Sequence, residues 1–301
     1  MCKILIIILT ALVSLSCQKK EVTYQPTYGE NSNNSPKKRM VTISIHPLHN
    51  AVRIQEMYGP IIKILEKNIP EAEFQIESSK SYDEFNRKIQ SKRIDIILPN
   101  PYQTLEAIKY GYQVFAKMGD DVKFRGIVLI RKDSTIDSIK KLKGKTISFP
   151  APSALAAAMM PQYYIESRGA SFKKDNIKTK YVGSQESSIL AVYYKEVDAG
   201  STWVMAWESF KAENKEIAKE LKPLFITEQL LNNSLMAKSD FPPDLLIKVK
   251  DTFLNLHKTN EGNVVLNRIK LSKFEDASNQ NYEIVKQFLT QYLEKFGELP
   301  F

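Results

Sequence analysis

Five short polar clusters in this 301-residue chain stand directly after apolar, β-prone runs. They are His46-Pro47-Leu48-His49, Asn100-Pro101-Tyr102, Pro152-Ser153-Ala154, Ser184-Gln185, and the stretch from Asp198 through Trp203. In open α/β sheets a ligand sits beyond the carboxyl ends of the strands, so these are the places where a binding cleft could be built. Ser153 carries the most explicit chemistry, because it opens a helical stretch. A helix start presents unpaired N–H groups and the positive end of the helix dipole, and it attracts an anion without a cationic side chain. Ser153 can equally serve as a plain N-cap, and one hydroxyl can do both.

Groups for bond chemistry are scarce. The chain has no G-x-x-x-x-G-K-[ST], no G-x-G-x-x-G and no G-x-S-x-G motif. Its histidines are His46, His49 and His257, and its cysteines are Cys2 and Cys17. His46 and His49 are close enough to share a metal, but no further histidine or mature cysteine completes a soft site, so a structural or pocket-lining role is expected for them. No enzyme activity, cofactor or metal is expected. Trp203, Trp207 and Phe210 have helical spacing, which suits core packing better than a ligand face.

The elements that must position these clusters alternate. Strand patterns over 41–45, 73–77, 94–98 and 113–117 interleave with helical spacing over 51–68, 81–91 and 103–109. A second series follows: strands over 126–132, 145–149, 178–182 and 196–201, with helices over 153–166, 187–194 and 203–221. Runs 223–227 and 234–238 read as extended, and everything from Phe241 onward reads as helical. The expected fold class is α/β, two lobes each with a mixed, mostly parallel sheet flanked by helices and a ligand cleft between them. The boundaries expected are 40–126 with 232–301 for lobe 1, and 127–231 for lobe 2.

The first residues read as a targeting segment. Lys3 precedes the apolar run Ile4–Val13, and Ser14-Leu15-Ser16-Cys17 follows. This is the anatomy of a secretory signal over 1–16, too short to span a bilayer as a helix. Cys17 stands where a lipoprotein signal places its lipid-bearing cysteine; an ordinary cut nearby is the alternative. Residues 17–39 are polar and charged and read as a flexible tether. Lys19, Lys20, Lys37, Lys38 and Arg39 against Glu21 and Glu30 put part of the net charge of +9 in this segment. It suits anionic lipid headgroups or a solvated tether, and an exported chain meets little nucleic acid, so no nucleic-acid partner is expected.

Several ordered motifs carry a family resemblance. Phe124-Arg125-Gly126-Ile127-Val128-Leu129-Ile130-Arg131 is similar to a hinge strand, and Ile139-Lys140-Lys141-Leu142-Lys143-Gly144-Lys145 with Ser148-Phe149 to a DLKGK-type segment. Val182-Gly183-Ser184-Gln185-Glu186 and Glu196-Val197-Asp198-Ala199-Gly200 resemble a turn and a VDA strand. Together they resemble the phosphate/phosphite/phosphonate (PhnD-like) substrate-binding proteins of ABC transporters, over most of residues 41–270. The resemblance implies a two-lobed, type II periplasmic-binding-protein fold that closes about a hinge on a small phosphorus oxyanion. It implies an ABC permease and ATPase as partners, and a periplasmic or cell-surface location with a lipid anchor holding the chain to the membrane. A ligand-sensing lipoprotein, or a receptor for another small organic solute, is the alternative.

From the strand ends and the resemblance together, the expected ligand-binding set is Tyr102, Ser153, Ala154, Ser184, Gln185, Asp198, His46 and Trp203, with Cys17 as the lipidation site that the signal anatomy marks. Tyr102 occupies a first-lobe aromatic position, and Asp198 the aspartate of VDA, an acceptor for a ligand proton. The chain departs from the family in two places. Ser153-Ala154-Leu155-Ala156 keeps only the first hydroxyl of a Ser-Thr-Ser-Gly run, and Gln185 stands where the family has His.

Overall fold

The computed structural model describes residues 38–300. The targeting segment, Cys17 and nearly all of the tether lie outside the described residues. The first element is β1 (Arg39–Ile45), followed by α1 (Ala51–Asn68), β2 (Ala72–Ile76), α2 (Tyr82–Gln90), β3 (Ile96–Leu98), α3 (Pro101–Lys109) and β4 (Tyr112–Met118). The chain then crosses to a second sheet. There it forms β5 (Gly126–Arg131), β6 (Thr146–Phe149), α4 (Met160–Ser167), β7 (Lys178–Tyr181), α5 (Gln185–Tyr193), β8 (Ala199–Trp203), α6 (Val204–Glu213), α7 (Lys215–Lys219) and β9 (Leu221–Ile226). It returns through β10 (Ser234–Lys238), α8 (Pro243–Asn255), α9 (Asn260–Arg268), β11 (Phe274–Asp276) and α10 (Glu283–Phe296).

The two sheets are built on one plan. The first runs β11-β4-β10-β3-β1-β2 and the second β7-β6-β8-β5-β9. In each, a parallel trio is continued by an antiparallel strand that is the first strand after a crossing: β10 beside β3, and β5 beside β8. β1 lies between β2 and β3, and β6 between β7 and β8, all parallel. Each trio therefore turns over at its first strand, and the crevice at its carboxyl end is where a ligand fits.

Burial explains why these segments pair as they do. In β5, Val128 and Ile130 join one cluster while Ile127 and Leu129 join another, so the strand is covered on both faces. The core around the first sheet also takes in Leu155, Ala156, Met159, Trp203 and Met205, so the two lobes share apolar contact. The crossings are tied to one another. Arg125 Nε donates to the Thr227 carbonyl at 2.7 Å and the Gly126 amide to Thr227 Oγ1 at 2.9 Å. Buried Lys117 Nζ reaches Asp121 at 3.0 Å and Glu275 at 2.7 Å.

Three sequence expectations shift. The strand expected over 196–201 runs instead from Ala199 to Trp203. The helix expected over 153–166 begins with a π-helical turn, Leu155–Met159, before α4. The tail from Phe241 is not wholly helical, since β11 adds a three-residue antiparallel edge to β4. So short a strand carries too few side chains for a period-two pattern to stand out.

Candidate functional site

Strand ends from both lobes converge on a small chamber of about 20 Å³. Its wall is formed by His46 and Leu48 after β1, Tyr82 at the start of α2, Asn100 after β3, and Phe124 and Asn233 from the two crossings. Lobe 2 contributes Ala154 through Ala157, Gln185 and Trp203.

The local sequence fixes each of these groups. Asn100 caps α3 reciprocally: its Oδ1 accepts from the Gln103 amide at 3.0 Å and Gln103 Oε1 accepts from the Asn100 amide at 3.2 Å. Its Nδ2 then donates to the Ser153 carbonyl of the other lobe at 2.9 Å. Gln185 begins α5, accepts from Thr202 Oγ1 at 2.8 Å, and lies 3.4 Å from the Tyr82 hydroxyl across the cleft. Trp203 packs edge-on to Phe124, with centroids 5.7 Å apart.

The π turn shapes the lobe 2 wall. The first helical donors are Ala158 and Met159, both to the Ala154 carbonyl, so the amides of Leu155, Ala156 and Ala157 have no intrahelical acceptor. Three successive N–H groups at a helix start, in a segment that lines the chamber, make a ready anion cradle. Gly126 allows it: a Cβ there would stand 2.3 Å from the Ala156 carbonyl oxygen.

Electrostatically the chamber is neutral. No Arg, Lys, Asp or Glu lines it, and its titratable groups are His46 and Tyr82. His46 Nδ1 lies 2.9 Å from the Leu98 carbonyl, which can only accept, so Nδ1 carries the hydrogen and Nε2 is an acceptor. Burial lowers His46 to about 4, the Leu98 hydrogen bond opposing and His49 adding to the shift, and the ring is neutral at pH 7. Desolvation raises Tyr82 far above its ordinary value. Asn233 Oδ1 is buried with no hydrogen-bond partner.

A wider groove of about 730 Å³ adjoins the chamber, sharing Gln185. Charges bridge the lobes on it. His49 Nδ1 lies 3.1 Å from Glu186, and the Arg53 guanidinium pairs with Glu213. Arg53 Nε is 3.5 Å from Glu186, an ion-pair contact rather than a hydrogen bond. His49, through its hydrogen bond, holds the Glu186 carboxyl below its ordinary value, with His49 and Arg53 charges adding to the effect.

The structure brings together only part of the set expected from sequence. His46, Ala154, Gln185 and Trp203 line the chamber. Ser153 is buried at its edge with its carbonyl held by Asn100. Ser184 caps α5, bonded to the Ser187 amide and hydroxyl, and is absent from the wall. Tyr102 is 1% exposed within the lobe 1 core and is also absent from the wall. Asp198 is a correction. It precedes β8, takes the Thr146 amide at 2.9 Å and pairs with Lys145, at the amino end of the sheet. Five residues of strand, about 16 Å, separate it from the cleft end. The displaced strand boundary is the cause.

Among the described residues, sequence reasoning missed Tyr82, Asn233 and the Arg53–Glu186–Glu213 cluster. Tyr82 follows Ser81, a helix cap after a strand, which is the same signal that marked Ser153. Asn233 and the charged rim had no local signal, since long-range folding alone assembles them. No group of acidic, histidine or cysteine residues among the described residues could hold a metal, and no described helix is long and apolar enough to cross a membrane.

Residues 43–282 match the family described as "ABC transporter, phosphonate, periplasmic substrate-binding protein". The chain is 23% identical over 186 residues to a probable ABC transporter phosphite binding protein of Prochlorococcus marinus, covering 58% of this chain and 63% of that one. It is 24% identical over 203 residues to the phosphonates-binding periplasmic protein of Escherichia coli, covering 65% of this chain and 60% of that one. These matches span less than two thirds of either curated relative. In fold, the chain resembles the Prochlorococcus marinus PhnD1 structure in complex with methylphosphonate. The TM-score is 0.78 at 20% identity, over 86% of this chain and 99% of that one.

Proposed function

The chain belongs to the family of periplasmic substrate-binding proteins of phosphonate ABC transporters, and from that premise we propose that it captures a small phosphorus oxyanion between its two lobes and delivers it to a membrane permease and its ATPase. The observation that carries this reading is the cradle of Leu155, Ala156 and Ala157 amides set against an uncharged chamber. An anion buried there is stabilised by fixed dipoles, which need no counter-ion and let go when the lobes part. The work is reversible binding without bond chemistry. The lobes correspond to 40–126 with 232–301 and to 127–231, and the segment ahead of them ties the receptor to the membrane through a lipid on Cys17.

His46, Asn100, Tyr82, Ala154, Gln185, Trp203 and Asn233 form the binding set. The chamber of about 20 Å³ holds little more than a water molecule, so even a small oxyanion requires the lobes slightly further apart. Calorimetric titration with methylphosphonate, phosphite and phosphate tests the proposal. At a hundredfold excess over Kd, a true ligand stabilises the fold by about 2.7 kcal/mol, a rise in Tm of roughly 5–10 °C. Absence of heat and of any Tm shift across all three would overturn it.

A further inference from the structure

The chamber is asymmetric in its hydrogen bonding. Lobe 2 offers donors, the N–H groups of Leu155, Ala156 and Ala157. Lobe 1 and the return crossing place two acceptors opposite them, beside the Tyr82 hydroxyl, which can donate. Asn233 is 1% exposed, and its Oδ1 has no partner while its Nδ2 turns to the Met118 sulfur at 3.5 Å. His46, 2% exposed, has Nδ1 engaged with Leu98 and only the Nε2 lone pair left to offer. A fully deprotonated oxyanion has nothing to give these two atoms and would face lone pairs on that side. A buried acceptor left unmatched costs about 1–3 kcal/mol, so the occupant must bring a hydrogen of its own.

We infer that the ligand is held as its singly protonated monoanion, its P–OH directed at Asn233 Oδ1 and His46 Nε2 and its bare oxygens at the lobe 2 amides. This rests on the oxyanion-receptor reading above and specifies the protonation state that the site selects. No other charge on the wall reverses the argument. Tyr82 on α2 is protonated, and α3, α5 and β8 present Asn100, Gln185 and Trp203. His49, Arg53, Glu186 and Glu213 lie on the outer groove, and Asp121 near the crossing is engaged by Lys117 and the Asn232 amide. His46 itself stays neutral through the range of the test.

The experiment is calorimetric titration of methylphosphonate from pH 5.5 to 8.5 at constant ionic strength, with methanesulfonate as a probe of the same shape and single charge but no proton. The association constant for total methylphosphonate should be flat below the ligand's second ionisation and fall about tenfold per pH unit above it, following the monoanion fraction. Methanesulfonate should bind at least tenfold more weakly. The Asn233→Leu variant should narrow the gap between the two ligands by about tenfold, and its Tm without ligand confirms that it folds. Affinity that holds or tightens as the dianion forms overturns the inference while leaving the receptor intact, as does equal binding of methanesulfonate. Failure of methylphosphonate to bind at any pH overturns this inference, and the receptor reading falls with it only when phosphite and phosphate fail as well.

Discussion

Asn100 donates its side-chain amide to the main-chain carbonyl of Ser153 at 2.9 Å, so the residue that caps a helix in one lobe also grips the turn that precedes the anion cradle in the other. This makes the cap a cross-lobe element. Both functions use different atoms of one side chain, Oδ1 for the cap and Nδ2 for the bridge.

The two functions can be separated by substitution. Asn100→Asp retains a good N-cap acceptor but removes the donor and faces the Ser153 carbonyl with a carboxylate. At a position 3% exposed the carboxylate must stay buried against a carbonyl or take up a proton, so the Tm of the unliganded variant should fall as well. Oxyanion affinity should fall roughly 10–100-fold, the equivalent of about 1.5–3 kcal/mol for a lost hydrogen bond beside a charge. Asn100→Ala should lose about 1 kcal/mol of stability in addition, from the cap. Melting curves and titration calorimetry on both variants check this; an unchanged Kd in Asn100→Asp would show the bridge to be incidental.

The charged rim makes a different prediction. Arg53 on α1 of lobe 1 meets Glu213 on α6 and Glu186 on α5 of lobe 2, so these ion pairs span the two lobes. Partly exposed pairs contribute up to about 1 kcal/mol each, so their loss should speed opening rather than hinder entry. Arg53→Ala should raise the ligand off-rate about fivefold with little change in on-rate, and raising the salt of the parent protein should reproduce part of the effect. Stopped-flow measurements decide it. A fall in on-rate with an unchanged off-rate would place Arg53 in capture instead.

These residues also show how far the sequence could be read. The alternation of β and α patterns specified the parallel trio of each sheet, but β4, β5, β9, β10 and β11 pair antiparallel, so the sheets are mixed rather than mostly parallel as the pattern implied. The strand ends therefore located His46, Ala154, Gln185 and Trp203 on the wall. The same logic misplaced Asp198, since Glu196-Val197-Asp198 continues the apolar-polar alternation into what is a turn ending at the amino side of β8. Asn233 and the Arg53–Glu213 pair were illegible for another reason. One lies in a crossing with no pattern of its own, and the other joins residues 160 positions apart. The π turn after Ser153 was also hidden, because an extra residue in a helical turn leaves the composition of Leu155–Met159 unchanged.

Acid stability isolates His46. Its folded pKa of about 4 lies below the ordinary value of 6.5, so the unfolded chain binds the extra proton between those limits. Stability at this site is full above pH 6.5 and is lost as pH falls toward 4. The carboxylate of Glu186, whose folded pKa is depressed, contributes above its ordinary value and loses that contribution only at lower pH. The window from pH 6.5 to 5 therefore contains His46 and excludes Glu186. Denaturant titrations should show the parent losing about 2 kcal/mol across it. His46→Gln, which keeps a hydrogen-bonding side chain that does not titrate, should be flatter by that amount. An equal slope in both proteins would mean the ring is solvated and charged in the fold.

Gly126 ties stability to the binding surface in a single position. A methyl group there would lie 2.3 Å from the Ala156 carbonyl oxygen and 2.6 Å from Pro161 Cγ, and the first of these is backbone that cannot rotate aside. Relief requires the π turn to lift from β5, carrying the Leu155, Ala156 and Ala157 amides with it. Gly126→Ala should therefore cost about 1–3 kcal/mol of stability through overpacking and weaken oxyanion binding at least tenfold in the molecules that remain folded. Gly59→Ala supplies the control, because a methyl at that helical position meets nothing within 4 Å beyond its chain neighbours. The helical preference for alanine is offset by crowding of its methyl against Pro60, so stability should change little and Kd should stay unchanged. Parent-like Tm and Kd in Gly126→Ala would show that the turn has room to spare, and would remove the close approach as the device that holds the cradle in register.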